Sequence, residues 1–159
     1  MVVHRIAQAR YARNGKQMMS GIGGLHSSQR WHSKGHRIVY TSTSLPLAVL
    51  EVLANLQQTD KLQLYRVMRV EVPDELVAAP AAGDLPEDWN ERDGEPLAAR
   101  AYGDGWLASH DSVALLVPSA VLPSEFNVLL NPEHEDYHHI TYDVPLPVDF
   151  DPRLIAAKR

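Results

Sequence analysis

One segment, residues 45–58, constrains the fold more than any other, because it is apolar on nearly every side. Ser44 fits an N-cap and Pro46 falls in the first turn, where a missing N–H does no harm, so the pattern predicts a helix. Before its end only Glu51 and Asn55 interrupt the apolar positions, and their spacing places them on one face. Because a helix of this kind is normally covered by protein, we expect it to be mostly buried.

Glu51 is therefore the residue of interest in this helix. A carboxylate on a buried helix lines a cleft or meets a cation, since an unpaired buried charge is costly. The alternative is that Glu51 marks a thin stripe that faces solvent. Arg30 and Tyr40 precede it, Tyr40 on the strand that leads into the helix, and we expect all three side chains to surround one opening.

The remaining segments are short and of both types, which predicts a single α+β domain over residues 1–159. Predicted strands cover 2–7, 37–42, 62–72, 112–119 and 139–144. In the third strand, period-two alternation places five apolar residues on one face: Leu62, Leu64, Met68, Val70 and Val72. The pattern also predicts a Gly- and Ser-rich loop at 14–29, a loop at 73–96 with a short helix near Trp89, and a helix from Leu97 that breaks at Gly103 and Gly105.

Composition excludes several classes of protein. The 159 residues include no cysteine, which rules out disulfides, thiolate metal sites and cysteine nucleophiles. No apolar run approaches the roughly 18 residues of a membrane helix, and the N-terminus does not resemble a secretory signal. We expect a cytoplasmic protein without a membrane partner.

The charges are distributed unevenly along the chain. Residues 1–50 carry seven Lys or Arg and no Asp or Glu, whereas the remainder carries a net charge of −12, for a total of −5. A segment without carboxylates suggests a surface that faces an anion. The alternative is that these cations balance the acidic remainder of the same fold.

Three other features suggest sites but have simpler explanations. His134, His138 and His139 do not form a zinc-binding HExxH motif, and we expect no metal site. The glycines between 21 and 24 lack the third glycine and the following helix of a dinucleotide fingerprint, so a flexible loop is expected. Trp31, Trp89 and Trp106 are most simply core or edge aromatics.

Two blocks and a tail of the sequence carry a further signal. The first block has the order SxRWHxxGxxxVYTSxxxxxAxLEVL and runs from Ser28 past Glu51. The second is LLVPSAVLPSEFNVLLNPEH, with Ser119, Asn127 and His134, and the tail is DFDPRL. In this order the three segments resemble the RES-domain family, and the tail resembles its closing motif. The departures are His32, where the family suggests Asn, and Ser28-Gln29 in place of a Gly-rich pair.

The resemblance implies a toxin of a bacterial RES–Xre toxin–antitoxin pair with an ADP-ribosyltransferase-like fold, a mixed, mostly antiparallel sheet flanked by short helices. It implies NAD⁺ as substrate rather than cofactor, cleavage of the nicotinamide–ribose bond by hydrolysis or phosphorolysis, and an Xre-type antitoxin as partner. Protein ADP-ribosylation is the alternative within the family. Outside it, the basic segment 1–50 and its histidines would suit an RNA-binding or RNA-cleaving toxin, and a non-enzymatic interaction module is a third class. We expect no direct contact with nucleic acid, and homo-oligomerisation stays open.

The resemblance also assigns roles to individual residues. Glu51 would stabilise an oxocarbenium-like ribose, Arg30 would bind the diphosphate, and Tyr40 would stack on the pyridinium. Ser119 would bind the ribose, the amide or the phosphate, although a turn or cap serine is the alternative. The substrate-binding candidates are Arg5, Trp31, Ser42 and Asn127.

Overall fold

An eight-stranded sheet organises the part of the chain that the computed structural model describes, residues 1–56, 64–81 and 83–156. Its strands are β1 (Val2–Gln8), β2 (Val39–Ser42), β3 (Tyr65–Glu71), β4 (Val77–Ala78), β5 (Ala114–Pro118), β6 (Phe126–Leu130), β7 (Thr141–Tyr142) and β8 (Leu146–Pro147). The order is β4-β5-β6-β2-β1-β3-β7, and β8 also pairs with β3. Only the β4–β5 pairing is parallel among these strands, so the predicted α+β class with a mostly antiparallel sheet is confirmed.

Each face of the sheet has its own hydrophobic core, because successive side chains of a strand point to opposite faces. Val3, Met68 and Val70 belong to the first core, which also includes the buried Met18 and Met19 from the segment 14–29. The second core lies on the opposite face and is made of Trp31, Ile38, Ala99, Trp106, Leu107, Leu115, Val117 and Leu129. The alternation of side chains along each strand therefore determines which residues lie on which face of the sheet.

Helix α2 (Leu45–Asn55) begins where the sequence predicts but is less covered than expected. The Ser44 hydroxyl accepts a hydrogen bond from the Leu47 N–H at 3.3 Å, which confirms the N-cap. The helix packs on β1 and β2, and only Leu47 and Ala48 are buried, while Leu45 and Leu50 are each 39% exposed. The prediction of a mostly buried helix was wrong, because the sheet covers it on one side. Residues 57 and 58 of the predicted helix lie outside the described residues.

Helix α3 (Leu97–Ser109) runs unbroken through Gly103 and Gly105, so the predicted break was wrong. Gly103 is explained by packing and not by a break in the helix. A Cβ atom at this position would lie 1.8 Å from the carbonyl oxygen of Trp31, so glycine allows the two backbones to come into contact. The start of the helix lacks a side-chain cap of its own. Instead the Asp88 carboxylate accepts hydrogen bonds from the N–H groups of Ala98 and Ala99, both at 2.8 Å.

Most predicted strands are present but shorter than expected. The predictions over 2–7, 37–42, 62–72, 112–119 and 139–144 correspond to β1, β2, β3, β5 and β7. In β3 and just after it, Met68, Val70 and Val72 are buried as predicted, whereas Leu64 precedes the strand and is 56% exposed. Leu62 lies outside the described residues. Strand β6 escaped the prediction because it ends in three consecutive buried residues and shows no alternation.

Two predicted loops contain more structure than expected. The 14–29 loop holds helix α1 (Gly15–Met18), which the Asn14 side chain caps through the Gln17 N–H at 2.8 Å. The 73–96 loop contains β4, and the segment around Trp89 forms a turn instead of the expected helix. A final short helix, α4, covers Arg153–Ala156.

Replacing Gly103 by alanine should destabilise the protein by about 1–3 kcal/mol, because the new methyl group would overlap the Trp31 carbonyl. Gly105→Ala, two residues further along α3, is the matched control: its Cβ would meet nothing within 4 Å. That control should gain roughly 0.5–1 kcal/mol from helix propensity. Urea unfolding measures both, and equal stability of the two variants would contradict the close approach.

Candidate active site

The carboxylate of Glu51 is held by two side chains from the sheet. Its Oε1 accepts hydrogen bonds from the Ser119 hydroxyl at 2.7 Å and from the Asn127 amide at 2.6 Å. Because a carboxylate only accepts, the NH₂ end of the Asn127 amide faces Glu51, and the Asn127 Oδ1 accepts from the Ser42 hydroxyl at 2.7 Å. Among the described residues nothing donates to Oε2. Hydrogen bonds to a carboxylate are among the stronger ones, so the charge has a defined position.

Ser119 is fully buried and serves both Glu51 and its own turn. While its hydroxyl donates to Glu51, the same oxygen accepts from the N–H groups of Val121 at 3.1 Å and Leu122 at 3.0 Å. The turn-cap interpretation of this serine is therefore confirmed, and the hydroxyl also supports Glu51. A direct contact of Ser119 with a ligand stays a prediction.

Glu51 opens onto a cleft with two compartments. The larger, about 640 Å³, is lined by Arg30, Trp31 and residues of the turn after β5, and the smaller, about 290 Å³, lies between α2 and β1. Five residues line both compartments: Gln29, Tyr40, Glu51, Asn55 and Asn127. The structure therefore brings Arg30, Tyr40 and Glu51 around one opening, with Glu51 at the junction of the compartments.

The Arg30 guanidinium anchors the loop that forms one rim of the larger compartment. Its Nη1 donates to the Trp89 carbonyl and its Nη2 to the Glu91 carbonyl, each at 2.8 Å. A guanidinium has five N–H donors, so three stay available for a ligand. Arg30 can thus order the rim and still bind an anion.

Tyr40 lies between the compartments on β2 with its ring as part of the wall. Burial raises the pKa of its phenol well above the ordinary value, so the group is neutral at physiological pH. Its hydroxyl lies 2.8 Å from Nδ1 of His32, a buried residue behind the cleft. The phenol oxygen is therefore engaged with protein, while Tyr40 as a residue lines both compartments.

The structure separates Arg5 from the other candidates. Its Nε donates to the Met18 carbonyl at 2.7 Å and its Nη1 to the Tyr40 carbonyl at 2.9 Å. Burial lowers its pKa to about 10, which still leaves it charged at neutral pH. On β1 the neighbours His4 and Ile6 line the smaller compartment, so alternation directs Arg5 to the opposite face. Here Arg5 joins the end of α1 to β2.

The other two substrate-binding candidates of the N-terminal block lie in the cleft walls. Trp31 lines the larger compartment although only 2% of its surface is exposed, and its ring meets that of Tyr102 edge-on at 6.3 Å. Ser42 lines the smaller compartment beside Asn127.

Several lining residues escaped the sequence reasoning. His4 and Asn55 belong to the smaller compartment, and Arg92 and Arg100 to the larger. The alternation of β1 could have identified His4, since it faces opposite to Arg5. Nothing local could have identified Arg92 and Arg100, because they reach the cleft only through the folding of the loop and α3 around Trp31.

The two remaining features of the sequence lie elsewhere. His134 uses both ring nitrogens, since Nδ1 accepts from the Asp136 N–H and Nε2 lies 3.0 Å from the His110 carbonyl. Within residues 1–56, 64–81 and 83–156, no three His, Asp or Glu side chains gather to hold a metal ion. Gly24 packs where a Cβ would lie 2.2 Å from the His36 carbonyl, so this glycine serves close packing. None of the described helices is long and apolar enough to cross a membrane.

These features describe a small α+β protein with a cleft on one face of its sheet, lined by Arg30, Tyr40 and Glu51. The profile of the RES domain family matches residues 2–151, and the chain belongs to that family. It is 35% identical over 155 residues to "Toxin Res" of Yersinia enterocolitica, an alignment that covers 97% of this chain and 99% of that protein.

One further relative and one solved structure are similar to this chain. "Prs ADP-ribosylating toxin" of Sphingobium sp. is 36% identical over 143 residues, which cover 86% of each protein. The fold is similar to that found in the crystal structure of the Mycobacterium tuberculosis MbcT–MbcA toxin–antitoxin complex, with a TM-score of 0.74 and 18% identity. That alignment covers 92% of this chain and 83% of the other.

Ser119→Ala should lower the free energy of unfolding by about 1–3 kcal/mol, because it leaves the Val121 and Leu122 N–H groups without an acceptor. Ser27→Ala is the control, since that hydroxyl is exposed and lies 3.5 Å from its nearest acceptor; its effect should stay within about 0.5 kcal/mol. Chemical denaturation compares the two, and a Ser119 variant as stable as the control would refute the buried cap.

Proposed function

We propose that this protein is a toxin that consumes NAD⁺ by cleaving the bond between nicotinamide and ribose, with water or phosphate as acceptor. The observation that carries this proposal is the Glu51 carboxylate, positioned by Ser119 and Asn127 at the junction of a cleft that Arg30 and Tyr40 also line. Membership of the RES family and the toxin names of its relatives support the same interpretation.

Cleavage of the nicotinamide–ribose bond does not require a strong general acid. Nicotinamide is cationic within NAD⁺ and leaves as a neutral base, so the main requirement is to stabilise positive charge on the ribose. A fixed carboxylate supplies that stabilisation, as in glycoside cleavage. Because Glu51 already accepts both hydrogen bonds on Oε1, Oε2 is available to face the anomeric carbon or a ribose hydroxyl.

The two compartments suit the two halves of the dinucleotide. Three arginines line the larger one, Arg30, Arg92 and Arg100, and a guanidinium can bind phosphate oxygens bidentately. The smaller compartment, at about 290 Å³, has apolar and uncharged polar walls beside Tyr40, apart from Glu51 and His4, and suits the nicotinamide ring. The scissile bond would then lie beside Glu51, the residue common to both.

Transfer of ADP-ribose to a protein is the second candidate. It is favoured by the Sphingobium relative, whose name describes it as ADP-ribosylating. Both reactions break the same bond and differ only in the acceptor that reaches the ribose. The site residues would therefore act in the same way in either case.

We also propose an antitoxin of the Xre type as the partner, bound over the cleft, and the bacterial cytoplasm as the place of action. The structural neighbour comes from a toxin–antitoxin complex, which supports a protein partner.

Glu51→Gln should lower the rate of nicotinamide release from NAD⁺ at least about 100-fold, because the amide keeps an acceptor oxygen but not the charge. Glu75→Gln, an exposed carboxylate outside the cleft, is the matched control and should behave like the wild type. Release is followed chromatographically at equal protein concentration. Equal rates for wild type and the Glu51 variant would rule out the proposed reaction.

Mass analysis of the products separates the acceptors. With NAD⁺ in buffers with and without phosphate, hydrolysis yields ADP-ribose in both, and phosphorolysis yields a phosphorylated ADP-ribose only when phosphate is present. A candidate target protein that gains the mass of ADP-ribose would favour the second function.

A further inference from the structure

The phenol oxygen of Tyr40 is surrounded by hydrogen-bonding groups behind the cleft. His32 Nδ1 lies 2.8 Å away, and the Trp31 N–H donates to the same oxygen at 3.3 Å. The other ring nitrogen of His32, Nε2, lies 2.9 Å from the Ser27 carbonyl. His32 is 1% exposed, so these partners account for both of its nitrogens.

The partners decide where the protons lie. A carbonyl oxygen only accepts, so the Ser27 carbonyl requires a proton on Nε2. Nδ1 of the neutral ring is then an acceptor, and the Tyr40 hydroxyl must donate to it. The pKa of His32 is lowered, mainly because the ring is buried. This shift favours the neutral ring that the arrangement requires.

We propose that His32 is a positioning residue for Tyr40, and that Tyr40 serves the substrate through its ring and not through its hydroxyl. The proton of the phenol is directed at Nδ1, away from the cleft, and the Trp31 N–H occupies a lone pair of the same oxygen. This leaves the aromatic face as the part of Tyr40 that meets a ligand.

The same histidine also orders the segment that carries Arg30. The His32 carbonyl accepts a hydrogen bond from the Gln29 N–H at 3.0 Å, which closes the short bridge between positions 29 and 32. Arg30 and Trp31 form the tip of this bridge and line the larger compartment. Residue 32 therefore contacts Tyr40 through its side chain and holds the tip that presents Arg30 through its backbone carbonyl.

This inference rests on the proposed function, and a matched pair of substitutions tests it. Asn places Oδ1 where His has Nδ1 and can accept from Tyr40, whereas Leu has similar shape and no acceptor. We expect His32→Leu to lower kcat/KM for NAD⁺ about tenfold and His32→Asn to stay within about threefold of the wild type. His26→Leu and His26→Asn control for the loss of a histidine, since His26 is exposed in the same region.

A double-mutant cycle with Tyr40→Phe separates positioning from general packing. Once the hydroxyl is gone, Nδ1 has nothing to orient, so His32→Leu should cause no further loss in the Tyr40→Phe background. Equal losses for His32→Asn and His32→Leu, or an undiminished effect of His32→Leu in that background, would overturn the proposal.

Nitrogen NMR supplies a readout that does not depend on activity. The wild type should show His32 as the neutral tautomer with its proton on Nε2, and a proton on Nδ1 would overturn the assignment. If the wild type does not cleave NAD⁺ at all, the proposed function fails. The tautomer and the same cycle measured on the free energy of unfolding then still decide whether His32 holds Tyr40.

Discussion

The paired hydrogen bonds on Oε1 of Glu51 are the interaction on which the site depends. They join a helix to two neighbouring strands, since Ser119 follows β5 and Asn127 belongs to β6. Without them the carboxylate would sit on a half-exposed helix with free rotation. With them it has one orientation at the junction of two compartments, and Ser42 extends the support to β2. Preorganised charge of this kind is what stabilisation of a cationic transition state requires.

The two faces of the sheet have different roles in the structure. One face carries the core that includes Val3 and Met68, and the other carries the second core together with the cleft. Arg5 and His4 are adjacent in sequence, but their side chains lie on opposite faces of the sheet. Arg5 links the end of α1 to β2, whereas His4 lines the cleft. On the cleft side, Gly103 allows α3 to pack against the backbone of Trp31, next to Arg30.

The sequence predicted the parts of this structure that depend on local signals. Ser44 as N-cap, the buried face of β3 and the α+β class follow from capping and periodicity. The family resemblance identified Glu51, Ser119 and Asn127, whose contacts join residues 68 and 76 positions apart. It could not show that Ser119 donates to Glu51, or that Arg30 is bonded to the 89–91 loop, because those contacts arise only from tertiary packing. The break expected at Gly103 was wrong for the same reason, since that glycine packs against the Trp31 backbone.

A crystal structure of the Glu51→Gln variant with NAD⁺ tests the central claim most directly, because the neutral isostere should bind the dinucleotide without consuming it. The account predicts nicotinamide against the Tyr40 ring, the diphosphate beside Arg30, and the anomeric carbon within about 3.5 Å of the side chain at position 51. NAD⁺ bound with its nicotinamide–ribose bond far from that side chain, or bound outside this cleft, would contradict it.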